Sequence, residues 1–403
     1  MRPRLTALIA LLLFASPAFA GEQTDKQPDG NWVGTWAAAP MPCPVKFGQP
    51  SAGDTTYRNI VLVSVGGKSV RVKLTNEFGA AQLAVGAAHI ALSAGDGVIV
   101  PGSDHALQFG GRTSVTIPKG GLMLSDEVPM DLPAMSSVAV SVYVIDQEIS
   151  TRSCHLLAMI TNYASKGDAT QATKMEHARA TGSWVFLKGI DVRADKNAYA
   201  VITMGDSITD GNASTKDANH RWPDYLAERF QQRDNAAPVA VLNEAIVGNR
   251  VLRDSEYGPN AIARCDRDVL AQTGARYLIL LEGINDIDWL DPDENAPADD
   301  VIAGIAQLVE RAHAHGTKVI GGTLLPCSGA DVCTDQNESA RVAINNWIRT
   351  SGAFDAVIDF DKLLRDPAKP ANLNPAYDSG DHHHPNDAGY EAMGKAIDLN
   401  LFL

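Results

Sequence analysis

The chain lacks several features that would have directed its function elsewhere. None of its five cysteines falls in a Cys-x-x-Cys pair, which removes the spacing of a structural zinc site. Beyond the N-terminus no uninterrupted apolar run reaches membrane-spanning length. Positive charge is short: 34 Lys and Arg against 48 Asp and Glu leave a formal charge of −14, which disfavours nucleic acid and anionic membrane surfaces as partners. No internal repeat or low-complexity tract breaks the chain.

What is present starts with residues 1–20, where Arg2 and Arg4 precede a short apolar stretch and small residues close the segment at Ala20. That pattern is expected to be a secretory signal peptide, so the mature protein is expected in the periplasm or the medium, without stable membrane insertion. The roughly 380 residues that remain exceed one ordinary domain. A composition of 45% hydrophobic and 20% charged residues suits a globular chain with a full core. In an exported protein the cysteines suggest disulfides. Cys327 with Cys333 is the preferred pair, Cys43 with Cys154 a second, and Cys265 the odd thiol.

Within residues 21–192, taken as one domain, the chain has a period of two from about 31 to 192, as in SVRVKLT at 69–75 and VAVSVYV at 138–144. Gly-Gly pairs at 66–67, 110–111 and 120–121 punctuate further short runs, so this part is expected to be an all-β sandwich. It holds no evident Ser, His and carboxylate constellation. Its expected role is packing and shaping a cleft, with Trp32 and Trp36 as core residues and glycan binding as the sharper alternative.

From 193 to 403 short apolar strands alternate with amphipathic segments, which implies βαβ units around a parallel sheet. Strands are expected at 198–204, 239–243, 277–282, 318–323 and 356–359, and helices at 221–233, 260–273, 299–315, 337–350 and 386–399. Five strands with these helices fit a flavodoxin-like three-layer α/β/α architecture.

Open α/β sheets bind ligands at the carboxyl ends of their strands, so the residues that end each strand carry the functional argument. The first ends in Gly205-Asp206-Ser207, where Ser207 is either a nucleophile or the cap of the next helix. Beyond the second lies Gly248, either an ordinary turn glycine or a site of close backbone approach to ligand. The third is followed by Asn285, whose amide either serves its own loop or faces the cleft. Near the C-terminus, Asp381-His382-His383-His384-Pro385 is a metal site, a solvated loop, or a base whose carboxylate sits three residues ahead of His384. Asn386 is the expected cap of the last helix.

These four blocks, in this order, resemble the SGNH or GDSL-type hydrolase family. The segment with GTWAAAP at 34–40 and NEFG at 76–79 is also similar to the β-sandwich that precedes this domain in some bacterial members. The resemblance implies Ser207 as nucleophile, His384 as general base and acid, and Asp381 as its orienting carboxylate. It implies an oxyanion hole from the Ser207 and Gly248 N–H groups and the Asn285 amide, with no metal or organic cofactor. That fits elementary chemistry, since a serine hydroxyl needs a base and a tetrahedral intermediate needs donors. Asp206 and Asp286 are expected to hold their loops, and His382 and His383 to lie at the rim or surface. Trp289 is expected either to line the cleft or to pack beneath the third helix.

The expected protein is thus an exported serine esterase acting through an acyl-enzyme on a small-molecule or glycan ester, with short acyl groups on a carbohydrate or other polar alcohol. Alternatives are a lysophospholipase or lipase-type acylhydrolase, a metal-dependent phosphoesterase using Asp206, Asn285, Asp286 and the histidine tract, and a catalytically silent glycan-binding protein. Oligomeric state is left open.

Overall fold

The computed structural model describes residues 30–44, 53–234 and 236–403. The expected signal peptide lies outside the described residues.

The first part is all-β. Thr55–Leu62, Ser137–Val144 and Leu83–Gly95 run antiparallel side by side. A second sheet is built from Asn31–Ala37, Leu187–Ala194, Gly67–Thr75 and Val128–Leu132. Val128–Leu132 alternates buried and exposed residue by residue, as expected of a strand with one face in water. Ser137–Val144 has neighbours on both edges and is almost wholly buried. Trp36 is in the core, while Trp32 is held between the guanidinium groups of Arg71 and Arg193, 4.3 and 4.6 Å from its ring centre. A small third sheet joins Met41–Pro44, Thr151–His155 and Trp184–Val185. A Cys43–Cys154 disulfide crosses it.

The second part is a five-stranded parallel sheet. Tyr199–Gly205 is flanked by Val239–Asn243 on one side and Ala275–Leu281 on the other; Lys318–Gly322 and Ala356–Ile358 follow outward. This order, second-first-third-fourth-fifth, is the doubly wound one expected from the sequence. Every residue of Tyr199–Gly205 is buried, which is why it reads as a continuous apolar run. Helices cover the sheet: Trp222–Gln231, Ala298–Ala314, Asp335–Thr350 and Asp387–Ala396. Asn386 caps the last of these by accepting from the Gly389 N–H.

One expected helix differs. In place of a continuous helix over 260–273, an α-helical turn at Ala261–Cys265 widens into a π-turn at Asp266–Leu270. Here Asp268 turns inward and meets Lys188 of the all-β part at 2.9 Å. The two parts are further tied by Gly34 N–H to Thr273 O (2.9 Å) and Thr273 Oγ1 to Asp191 Oδ2 (2.8 Å). Cys327 and Cys333 form a second disulfide, and Cys265 is a buried thiol whose pKa burial pushes up to about 11.

Candidate active site

The first parallel strand ends at Gly205, a position that admits no side chain: a Cβ there would lie 2.5 Å from both Leu281 O and Thr209 Oγ1. The chain then turns into one helical turn, Ser207–Asp210, closed by Gly211 in the left-handed conformation at φ 96°. The cap of this turn is Asp206, whose carboxylate accepts from Ile208 N–H at 2.9 Å. That leaves the Ser207 hydroxyl free for another partner. It donates to His384 Nε2 at 2.8 Å, from a residue only 4% exposed.

His384 is held by the loop that carries it. Its Nδ1 lies 2.6 Å from Asp381 Oδ2, while Asp381 Oδ1 accepts from the N–H groups of His383 (2.9 Å) and His384 (2.8 Å) and from Ser379 Oγ (3.0 Å). Burial opposes ionisation of Asp381. The His384 ring and these N–H donors outweigh it and hold the carboxyl well below the usual carboxylate range. With Nδ1 donating to a carboxylate, Nε2 presents its lone pair to the serine, the arrangement that general-base activation requires.

The other two histidines part company. His382 is 55% exposed and bonded to Asp378 Oδ2 at 2.6 Å, as a rim residue would be. His383 is not at the surface: its side chain is 11% exposed, its ring centre is 4.8 Å from that of His384, and its Nδ1 is 3.6 Å from Asp288 Oδ2. Burial, and then the neighbouring His384, lower the His383 pKa to about 4, while burial with the nearby Asp206 and Asp286 raises Asp288 well above its ordinary value. Two buried groups whose charged forms are both disfavoured therefore face each other beside the base. The expected rim position failed because Asp288, six residues past the buried Glu282, is itself buried and lies against the His383 ring.

Three groups stand at the strand ends as possible oxyanion donors. The Ser207 N–H, at the first position of its turn, has no intrahelical acceptor by geometry. Gly248 has φ 66°, and a Cβ there would meet the Tyr257 ring at 2.6 Å and the Trp289 ring at 3.4 Å. Its N–H meets no acceptor among the described residues. Asn285 donates one amide hydrogen to Asn249 O at 2.9 Å. Asp286 holds the same loop by accepting from Val251 (2.7 Å) and Leu252 (3.0 Å), so with Asp206 it has the structural role expected.

Trp289 does not simply pack beneath a helix. Its ring edge borders Gly248, Arg250 lies 4.3 Å over its face, and its backbone N–H donates to Asn295 Oδ1 at 2.7 Å. Burial raises the pKa of Asp206 to about 7, that of Asp286 to about 6 and that of Glu282 well above its usual range. The side chains suggested for a metal centre do not converge: Asp286 is spent on two backbone N–H groups and His382 on Asp378. Among the described residues, potential ligand atoms gather only at Cys327, Cys333 and Glu338, where both sulfurs are in a disulfide.

Several residues escaped the sequence reading. Arg264, fully buried, donates to Asn249 Oδ1 (2.8 Å), to Gly205 O (3.2 Å) and to Glu244 O, knotting the ends of the first two strands to the Asn249 loop. Asn212 Nδ2 is 3.3 Å from His384 Nε2, and Tyr390 donates to Asn212 O at 2.5 Å. Tyr257 shares Gly248 with Trp289. The only available signal for Arg264 was an arginine within an otherwise apolar helical face; the others had none.

Comparison with known proteins adds a family match over the second part of the chain. The profile described as the GDSL-like Lipase/Acylhydrolase family matches residues 203–392. No curated protein matches the chain. Among solved structures, the chain is similar to a lipolytic protein of the G-D-S-L family from Desulfitobacterium hafniense (22% identity, TM-score 0.39, covering 49% of this chain and 96% of that one). It is also similar to an acetylxylan esterase from Geobacillus stearothermophilus (19%, 0.39, 49% and 91%) and a GDSL-like lipase from Bacteroides thetaiotaomicron (20%, 0.38, 50% and 87%).

Proposed function

We propose that this protein is a serine esterase working through an acyl-enzyme on short acyl esters of carbohydrates or similarly polar alcohols, a reading that the match of residues 203–392 to the GDSL-like Lipase/Acylhydrolase profile supports. The observation that carries the reading is the continuous chain from the Ser207 hydroxyl through both ring nitrogens of His384 to Asp381.

In this reading Ser207 Oγ attacks the ester carbonyl as its proton passes to His384 Nε2, and the carbonyl oxygen gathers negative charge among the Ser207 and Gly248 N–H groups and the second hydrogen of the Asn285 amide. Asp381 stabilises the imidazolium without itself taking the proton. Collapse expels the alcohol, which takes that proton from Nε2. Water then repeats the sequence on the acyl-Ser207 carbonyl and releases the acid. Two aromatic rings beside Gly248, from Tyr257 and Trp289, suit the apolar face of a sugar. Leu290, 80% exposed next to Trp289, favours an apolar acceptor of lysophospholipid type.

Export remains part of the proposal and rests on the sequence of residues 1–20. No helix among the described residues is long and apolar enough to cross a membrane.

The test is fluorophosphonate labelling with mapping of the adduct, followed by turnover of p-nitrophenyl acetate with and without EDTA and of a panel of acetylated oligosaccharides, acyl-glycerols and lysophospholipids. An adduct on Ser207, EDTA-resistant turnover and preference for the acetylated sugars are expected. No adduct, or turnover that survives Ser207→Ala and dies in chelator, overturns the serine mechanism. Preference for lysophospholipids overturns the substrate class alone.

A further inference from the structure

His155 lies in the all-β part, far from the catalytic blocks in sequence, yet it touches the turn that carries Ser207. Its Nε2 is 2.9 Å from Asp210 Oδ1 and its Nδ1 is 3.0 Å from Ala39 O. Both side chains of the pair are 2% exposed. A carbonyl oxygen and a carboxylate can only accept, so both ring nitrogens must donate and the ring is an imidazolium. Burial opposes that charge, but Asp210, with the Ala39 carbonyl, more than offsets it and the His155 pKa is raised. The ring also packs against Trp184, at 5.4 Å between centres, and Trp184 in turn meets Trp36 edge-on at 4.9 Å. The other cation near the pair, Arg221, is engaged by Asp224 at 2.7 and 3.0 Å.

Asp210 has a second oxygen, and its use decides the matter. Oδ2 accepts from Val247 N–H at 3.0 Å, one residue before Gly248. Asp210 is the last residue of the turn that begins at Ser207, which closes through a backbone bond from Gly211 N–H to Ser207 O at 2.9 Å. Asp210 therefore bridges the nucleophile turn and the Gly248 loop, and it does so from a position fixed by the neighbouring part of the molecule. Resting on the serine-esterase reading, we propose that His155 is a positioning residue for ester hydrolysis: by clamping Asp210 it fixes the loop that aims the Gly248 N–H at the developing oxyanion.

This gives the all-β part a role in the chemistry that goes beyond packing. Without the imidazolium, a buried carboxylate would keep one backbone donor as its main partner, and such a group rearranges to find water or a new donor. The loss should appear in the transition state more than in ester binding, because only the oxyanion uses the Gly248 N–H fully.

The experiment compares His155→Ala, His155→Gln and Asp210→Asn with the full-length native enzyme, each normalised to active sites titrated with fluorophosphonate. Readouts are kcat and KM for p-nitrophenyl acetate and inhibition by a boronic acid, which forms a tetrahedral anion on serine. In His155→Ala, kcat per titrated site is expected to fall about 10-fold to 100-fold, below the 10²–10³ lost with an oxyanion donor itself. KM is expected to stay within about twofold, and boronate affinity to weaken in step with kcat. His155→Gln, which retains a donor for Asp210, is expected to recover part of the loss and covers the case in which the alanine variant does not fold. Unchanged kcat and boronate affinity per titrated site, with only fewer active molecules or a lower Tm, would show a purely structural residue and overturn the inference. Absence of a Ser207 adduct in the native enzyme would instead overturn the serine-esterase reading, and this inference with it.

Discussion

The Asn285 amide is anchored to the backbone carbonyl of Asn249 at 2.9 Å, so one of its two hydrogens is committed to the neighbouring loop and the other has a fixed direction. A donor oriented before substrate arrives costs no reorganisation during reaction. Asn285→Ala is expected to lower kcat by about 10² to 10³ while leaving KM for a small ester within a few-fold. Steady-state kinetics on p-nitrophenyl acetate checks this, and a change confined to KM would remove Asn285 from the oxyanion site. Asn285→Asp, which replaces the donor by an acceptor, is expected to be no better than alanine.

Gly248→Ala tests the opposite side of the same site. The residue sits at φ 66°, where an L side chain costs about 1–2 kcal/mol, and the new Cβ would press on the Tyr257 ring at 2.6 Å. Activity is expected to fall at least tenfold, in line with a displaced N–H donor. Adding Tyr257→Ala to Gly248→Ala is expected to restore part of it, since the ring is then gone and only the backbone strain remains. No difference between the single and double variants would show that the contact with Tyr257 is irrelevant.

Stability is expected to fall as pH rises from 6.5 to 8.5. Burial raises Asp206 to about 7 and Glu244 to about 8, and the pKa of His155 is raised by its carboxylate partner, so the folded protein holds these protons more tightly than the unfolded chain does. Stability from such groups is present at low pH and is lost as pH passes through the folded values. His383 works the other way, its folded pKa lowered to about 4, but its contribution is complete once pH exceeds the unfolded histidine value near 6.5. Asp268 and Asp381, both held low, matter only in acid. Differential scanning calorimetry across this range decides the matter, and a Tm that is flat or rising would contradict the assignment of buried protonated acids.

Asp268 is an ionic link between the two parts of the molecule. It is fully buried and receives Lys188 at 2.9 Å, Arg267 at 2.6 Å and Arg264 at 3.5 Å. Asp268→Ala would strand these cations, and removal of one partner of a buried ion pair typically costs about 3–5 kcal/mol. Denaturant unfolding followed by fluorescence should show a lower midpoint of that order. A midpoint within about 0.5 kcal/mol of native, the usual range for a surface substitution, would mean that the cluster is dispensable.

The residues that end the parallel strands were legible because local patterns wrote them. An apolar run stopping at Gly205-Asp206-Ser207 and a carboxylate three residues before His384 are short-range signals, and the structure brings Ser207, His384 and Asp381 within hydrogen-bond reach as those signals suggested. Local chemistry also separated the readings left open for Ser207: Asp206 caps the turn, so the serine hydroxyl is spared for the imidazole.

What the chain alone determined was therefore its alternating and continuous apolar patterns, hence an all-β part followed by a parallel α/β part, and the identity of the polar groups at the sheet's carboxyl edge. Tertiary structure alone decided that His383 goes under the loop to face Asp288, that Arg264 ties three loop ends, and that His155 reaches Asp210 across 55 residues of sequence. Periodicity reports which face of one element is buried, a property set by neighbours along the chain. Which charged group from another element fills the space against that face depends on how the layers dock, and no local pattern carries that information.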